Sequence, residues 1–150
     1  MPKEIWTIES LEVTNLLQQL SESSEELNTY TTALNENVAR LEERLNDINL
    51  GVSTGVEFKC KSANFPGIHK LSYRRTGIKW GFTVDSMSLK QLWPFREAPR
   101  ELRVASVEHI PELLKKLKTD SYALAEDLKA KVSFLRDITA MLKEPGSVEK

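Results

Sequence analysis

Val13, Leu20, Leu27, Leu34, Leu41 and Ile48 recur at every seventh position, and Leu17, Ser24, Thr31, Val38 and Leu45 follow four residues after the first five. Apolar residues at alternating spacings of four and three form one stripe on an α-helix, with the first set at heptad position d and the second at a. The pattern predicts a long helix over residues 6–50. Thr7 reads as its N-cap, and Trp6 can pack on Leu11 four positions later as a hydrophobic staple. No proline or glycine interrupts the pattern before Gly51. About 42 helical residues at about 1.5 Å each span roughly 60 Å, more than a small domain can bury along its whole length. The seam Val13, Leu17, Leu20, Leu27, Leu34, Val38, Leu41, Leu45 and Ile48 is therefore expected to need a partner. Ser24 and Thr31 place hydroxyls at consecutive a positions, where polar groups either specify register or mark a loosely packed, wetted turn. The loose turn is the simpler reading.

After Gly51 and Gly55, which read as the helix stop, the period changes to two. Val56, Phe58 and Cys60 alternate with Glu57, Lys59 and Lys61; Leu71 and Tyr73 alternate with Lys70, Ser72 and Arg74; Ile78, Trp80, Phe82 and Val84 alternate with Lys79, Gly81, Thr83 and Asp85. Alternation of this kind predicts half-buried strands. Ser62–Gly67 reads as a loop and Thr76-Gly77 as a tight hairpin turn, because glycine tolerates positive φ. Residues 56–85 are thus expected to form a three-stranded antiparallel meander with one apolar and one basic face. Residues 86–98 read as an apolar connector containing Leu89, Leu92, Trp93 and Phe95.

Helical spacing returns over residues 99–142. Pro99 suits a first turn, and Pro111 should kink the helix or restart it near residues 107–109. Residues 143–150 read as a frayed tail. The predicted fold class is α+β: two long amphipathic, coiled-coil-like helices flank the meander in a single domain spanning 1–150. The helices can fold back on each other as an antiparallel hairpin, pair in parallel with a second copy, or do both in a four-helix bundle.

Charge sharpens this layout. Residues 1–50 hold ten acids and three bases, a net of −7, whereas residues 51–103 hold ten bases and four acids, a net of +6; the remainder balances. The candidate site for a phosphate or a protein partner is therefore the basic middle: Lys70, Arg74, Arg75, Lys79, Arg96, Arg100 and Arg103. Phosphate binding by charge requires only such a cluster. Trp80 and Phe82 fall on the apolar face by alternation, which makes them core residues rather than stacking platforms, and no nucleic-acid-binding motif is present.

Other chemistry is sparse in the chain. His69 and His109 lie on separate elements, as a sheet-edge residue and a residue beside the Pro111 break, and Cys60 is the single cysteine, read as a buried structural one. No zinc, nucleophile-elbow, dinucleotide or phosphate-loop motif occurs. Ser86, Ser88 and Asp85 can be drawn beside His69, but their spacing does not require it. No enzyme activity, cofactor or metal is expected. MPKEIWTIES has no apolar stretch behind a basic one, so no signal peptide is expected. No run reaches the roughly 18 to 20 apolar residues of a membrane span. With a single cysteine, a cytoplasmic location is expected. The leading expectation is a non-enzymatic interaction or assembly module, a homo-oligomer with a dimer favoured, that presents a basic β-tip to a protein partner. The alternative is a nucleic-acid-binding accessory protein using that tip on phosphates.

Overall fold

A computed structural model describes residues 2–148, with side chains for residues 9–142. The chain divides into two compact units, Met1–Arg44 and Leu45–Lys150. The first unit consists of most of α1 (Pro2–Ile48), a helix that runs unbroken through Ser24 and Thr31. Thr31 donates its hydroxyl to the Leu27 carbonyl at 2.6 Å. A hydroxyl that bonds back to its own helix needs no external partner. Helix α1 already includes Thr7, so Thr7 is not its N-cap, and the Trp6 staple lies outside the residues with described side chains.

The second unit opens with the end of α1. Two residues before Gly51, Asn49 adopts a left-handed φ of 57° and its N–H bonds to the Leu45 carbonyl at 3.1 Å. Asparagine tolerates this conformation better than most residues, so it terminates the helix. Gly51, at φ 65°, then turns the chain away. Four strands follow: β1 (Thr54–Lys59), β2 (Ile68–Thr76), β3 (Lys79–Ser86) and β4 (Gln91–Pro94). They form one antiparallel sheet in the order β1-β2-β3-β4.

The expected mixture of helix and sheet is present, with four strands rather than three. The extra strand, β4, comes from the segment read as a connector. It is four residues long and ends in Pro94, which has no N–H to extend a ladder and is tolerated at an edge. The Leu92 and Trp93 side chains alternate too briefly to announce a strand. A four-residue turn, in which Lys90 takes a φ of 53°, connects β3 to β4.

The β2–β3 turn is also displaced from its expected place. Thr76 pairs with Lys79, so the two central residues are Gly77 and Ile78. Ile78 is therefore 91% exposed at the tip rather than on the apolar face. Gly77 has a φ of 70°, and nothing lies within 4 Å of where its Cβ would be. Replacing it costs backbone strain alone: Gly77→Val should destabilise the second unit by about 1–2 kcal/mol, read as a lower thermal midpoint, with Gly77→Asn milder.

Residues paired across antiparallel strands project to the same face. Val56, Phe58, Leu71, Tyr73, Phe82 and Val84 share one face and are buried. Phe95, Ala98, Leu102, Leu113 and Leu117 complete the core. They come from a 3-10 turn (Phe95–Glu97) and from α2 (Arg100–Val107) and α3 (Ile110–Val148). The His109 ring packs 5.8 Å from Phe58, and the Cys60 thiol lies 3.7 Å from the Glu101 carbonyl, so the α2–α3 corner covers this face. At the other end, Tyr73 donates its hydroxyl to Asn46 Oδ1 at 3.2 Å, and Asn46 Nδ2 donates to the Trp80 carbonyl at 3.1 Å.

The break expected at Pro111 occurs as a restart. Helix α2 ends at Val107, and the His109 N–H bonds to the Ser106 carbonyl at 2.9 Å. Pro111 occupies the first turn of α3, where the missing N–H has no intrahelical acceptor to lose. Helix α3 continues to Val148, past the expected end at 142; the side chains of the tail lie outside those described.

Candidate functional site

In the first unit, the seam residues Val13, Leu17, Leu20 and Leu27 are exposed, as are Leu11, Leu16 and Tyr30 outside the a and d positions. Of the remaining seam positions, Leu34 and Leu41 are half-buried, Val38 and Leu45 are buried, and Ile48 is exposed. In the second unit, the far half of α3 carries a similar stripe: Leu124, Leu128, Val132, Leu135, Ile138 and Leu142 are exposed. Val132, Leu135, Arg136, Thr139 and Ala140 line an open groove of about 380 Å³ along it. Single exposed apolar residues are ordinary on a folded protein, whereas contiguous apolar stripes are uncommon.

The basic residues separate into several places. Lys70, Ser72 and Arg74 project from β2 on the face opposite the core, and register puts Lys79 on that face too. Arg75 is engaged with its own hairpin, donating from Nε to the Gly77 carbonyl at 3.0 Å. Arg96 sits in the 3-10 turn, and Arg100 and Arg103 are on α2, which packs on the core face. Arg103 is half-buried; burial, and secondarily the charge of Arg100, hold its guanidinium below the usual arginine range.

Lys70 and Arg74 border a shallow depression of about 260 Å³, completed by Ser53, Thr54, Gly55 and Ser72. Ser53, Thr54 and Gly55 escape a sequence search for charge. Gly55, expected to belong to the helix stop, lies inside β1, where a glycine often marks a close approach. Glu57 and Asp85 flank Lys70 in register on the same face, yet Lys70 and Arg74 make no ion pair among the described residues. Lys116 reaches from α3 to the same strand, donating from Nζ to the Gly55 carbonyl at 2.9 Å.

The histidines and the cysteine are placed differently from expectation. His69 is fully buried in β2, an interior strand, with Nε2 3.1 Å from the Phe65 carbonyl and its ring 5.6 Å from that of Phe58. It is a core residue rather than an edge residue, because β2 is interior and His69 shares the buried face of Leu71 and Tyr73, with Phe58 and Ser86 opposite it in register. Ser86 faces it in register but is equally buried, and Ser88 bonds to the Pro66 carbonyl at 2.9 Å. No substrate can reach that pair without opening the core. Cys60 is half-buried just beyond the end of β1 rather than fully buried within it. Among the described residues no group of three or more metal-ligating side chains converges, and no helix is long and apolar enough to cross a membrane.

No protein-family model matches the chain, and no match was found among curated proteins or solved structures.

Proposed function

We propose that the chain is a non-catalytic assembly module whose α1 seam docks against the same seam of a second copy. The observation that carries this reading is the exposed seam run Val13, Leu17, Leu20 and Leu27 on an unbroken helix. Burying one leucine side chain contributes about 1.5–3 kcal/mol, so a paired stripe of this length supplies enough to hold two chains together. The hydroxyl of Thr31 is already satisfied within its own helix and can enter a seam without leaving an unpaired donor. The exposed stripe on α3 offers a further surface for enlarging the assembly or for a protein partner.

Sedimentation or light scattering of the full chain tests this directly. The expected mass is twice the 17.1 kDa of the chain, or a higher multiple. A monomer at every accessible concentration overturns self-assembly. Nucleic-acid binding by the basic residues is the competing reading. A phosphate backbone is best met by a continuous cationic track, and the scatter of the arginines over β2, the 3-10 turn and α2 counts against it. A mobility shift that weakens steeply with salt would favour it instead.

A further inference from the structure

We infer that the outer face of the sheet carries a site for a single phosphoryl group, seated in the depression beside Ser72 and held by Lys70 and Arg74. Strand register places Gly55, Ser72 and Thr83 side by side in one row across β1, β2 and β3. Gly55 is buried within β1 and does not have the positive φ that Gly51, Gly67 and Gly77 require. Its value is space. A Cβ there would lie 2.5 Å from both Lys70 Cε and Ser72 Oγ. Only glycine lets the lysine chain and the serine hydroxyl lean together over the β1 backbone.

The resulting depression is lined by hydroxyls and two exposed cations, the donor set that recognises a tetrahedral oxyanion. Arginine adds a planar fork suited to two oxygens of one phosphate. Next in the row, Thr83 is 1% exposed and its hydroxyl has no hydrogen-bond partner. Buried hydroxyls without partners are uncommon and call for an explanation, and this one lies beside the depression. Lys116 adds a third positive charge at the Gly55 carbonyl.

Flanking acids determine what fits. Glu57 and Asp85 share the row of Lys70 on either side, and Lys70 leans away from them toward Gly55. They oppose a string of negative charges passing along the face while leaving room for one compact dianion. A phosphomonoester suits this arrangement; a polynucleotide backbone does not.

The test is a titration of the isotopically labelled full chain followed by amide NMR, with inorganic phosphate, a phosphoserine peptide and a single-stranded oligonucleotide as probes. Saturable shifts are expected at residues 53–55 and 70–74 with the first two probes. Lys70→Gln and Arg74→Gln should each weaken binding by roughly tenfold, the loss of one charge-assisted contact, whereas Lys79→Gln should not. Gly55→Ala should also weaken it by displacing Lys70 and Ser72. If that variant perturbs the whole spectrum, the two exposed cation variants carry the test, since neither side chain supports the core. Tighter binding of the peptide than of phosphate identifies a phosphorylated protein as the source, and equal binding identifies free phosphate; both support the site. Absence of saturable shifts, equal loss in Lys79→Gln, or tighter binding of the oligonucleotide with shifts spreading to Arg100 and Arg103 overturns it.

Discussion

Leu20→Asp combined with Leu27→Asp is expected to reduce the assembly to a 17.1 kDa monomer while leaving the sheet-containing unit folded. These leucines are 64% and 51% exposed, so the chain does not need them for its own core. In a two-fold pair each substitution occurs twice, which places four carboxylates along one seam. Desolvating even one unpaired carboxylate costs several kcal/mol, more than the remaining leucines recover. Light scattering would report the mass, and far-UV circular dichroism would report retained structure. An unchanged mass with intact structure would remove the α1 seam as the interface. The companion substitution Leu45→Asp should behave differently, because Leu45 is only 7% exposed and its loss disrupts the second unit itself.

Charge gives the same interface a distinctive salt response. Two α1 helices bring like charges together, since residues 1–50 carry a net of −7. Glu12, Glu22, Glu25, Glu26 and Glu36 fall at heptad positions b, c and f, away from the seam. Their repulsion acts at a distance and is screened over about 10 Å at 0.1 M salt. Added salt should therefore tighten the assembly, opposite to the response of a phosphate-binding surface.

The features legible in the sequence are those with a local period. The α1 heptads, the alternation of β1 to β3 and the restart at Pro111 each follow from side-chain spacing or from a missing N–H. Lys70, Ser72 and Arg74 were placed on one face by the same alternation. What escaped depends on contacts between distant segments. Strand β4 is an edge strand formed by pairing with β3, and its four residues carry too little pattern of their own. Ile78 stands at the tip because the turn falls one residue later than expected, which shifts the pairing by two residues, so Phe82 and Val84 keep the apolar face while Ile78 leaves the strand. His69 shares the parity of Leu71 and Tyr73 and so faces the core, but its burial also requires β2 to lie inside the sheet, with Phe58 and Ser86 opposite it. The Gly55–Ser72–Thr83 row is defined by strand register, which no single strand encodes. Asn49 ends α1 by adopting the left-handed conformation, a choice its type permits but does not compel.

Phe82→Ala should cost the second unit about 3–5 kcal/mol, the usual range for truncating a buried phenylalanine. Phe82 is 2% exposed and sits opposite Tyr73 in register, with the two rings edge-on at 5.6 Å. Tyr73 in turn stacks on Trp80 at 5.6 Å and holds Asn46 through its hydroxyl. Removing Phe82 therefore leaves a cavity beside the contacts that fix the end of α1 to the sheet. Domains of ordinary size have only about 5–15 kcal/mol of stability in total, so a large share is lost. Tryptophan fluorescence, to which Trp80 and Trp93 contribute from the sheet, should report a much lower denaturation midpoint, whereas Ile78→Ala, at the exposed tip, should change stability by less than about 0.5 kcal/mol. The helical signal discriminates further. Residues up to Arg44 form a separate compact unit, and if the seam is held by a second copy, their helicity should outlast the fluorescence transition in Phe82→Ala. Simultaneous loss of both signals would mean that the sheet, rather than the seam, maintains α1.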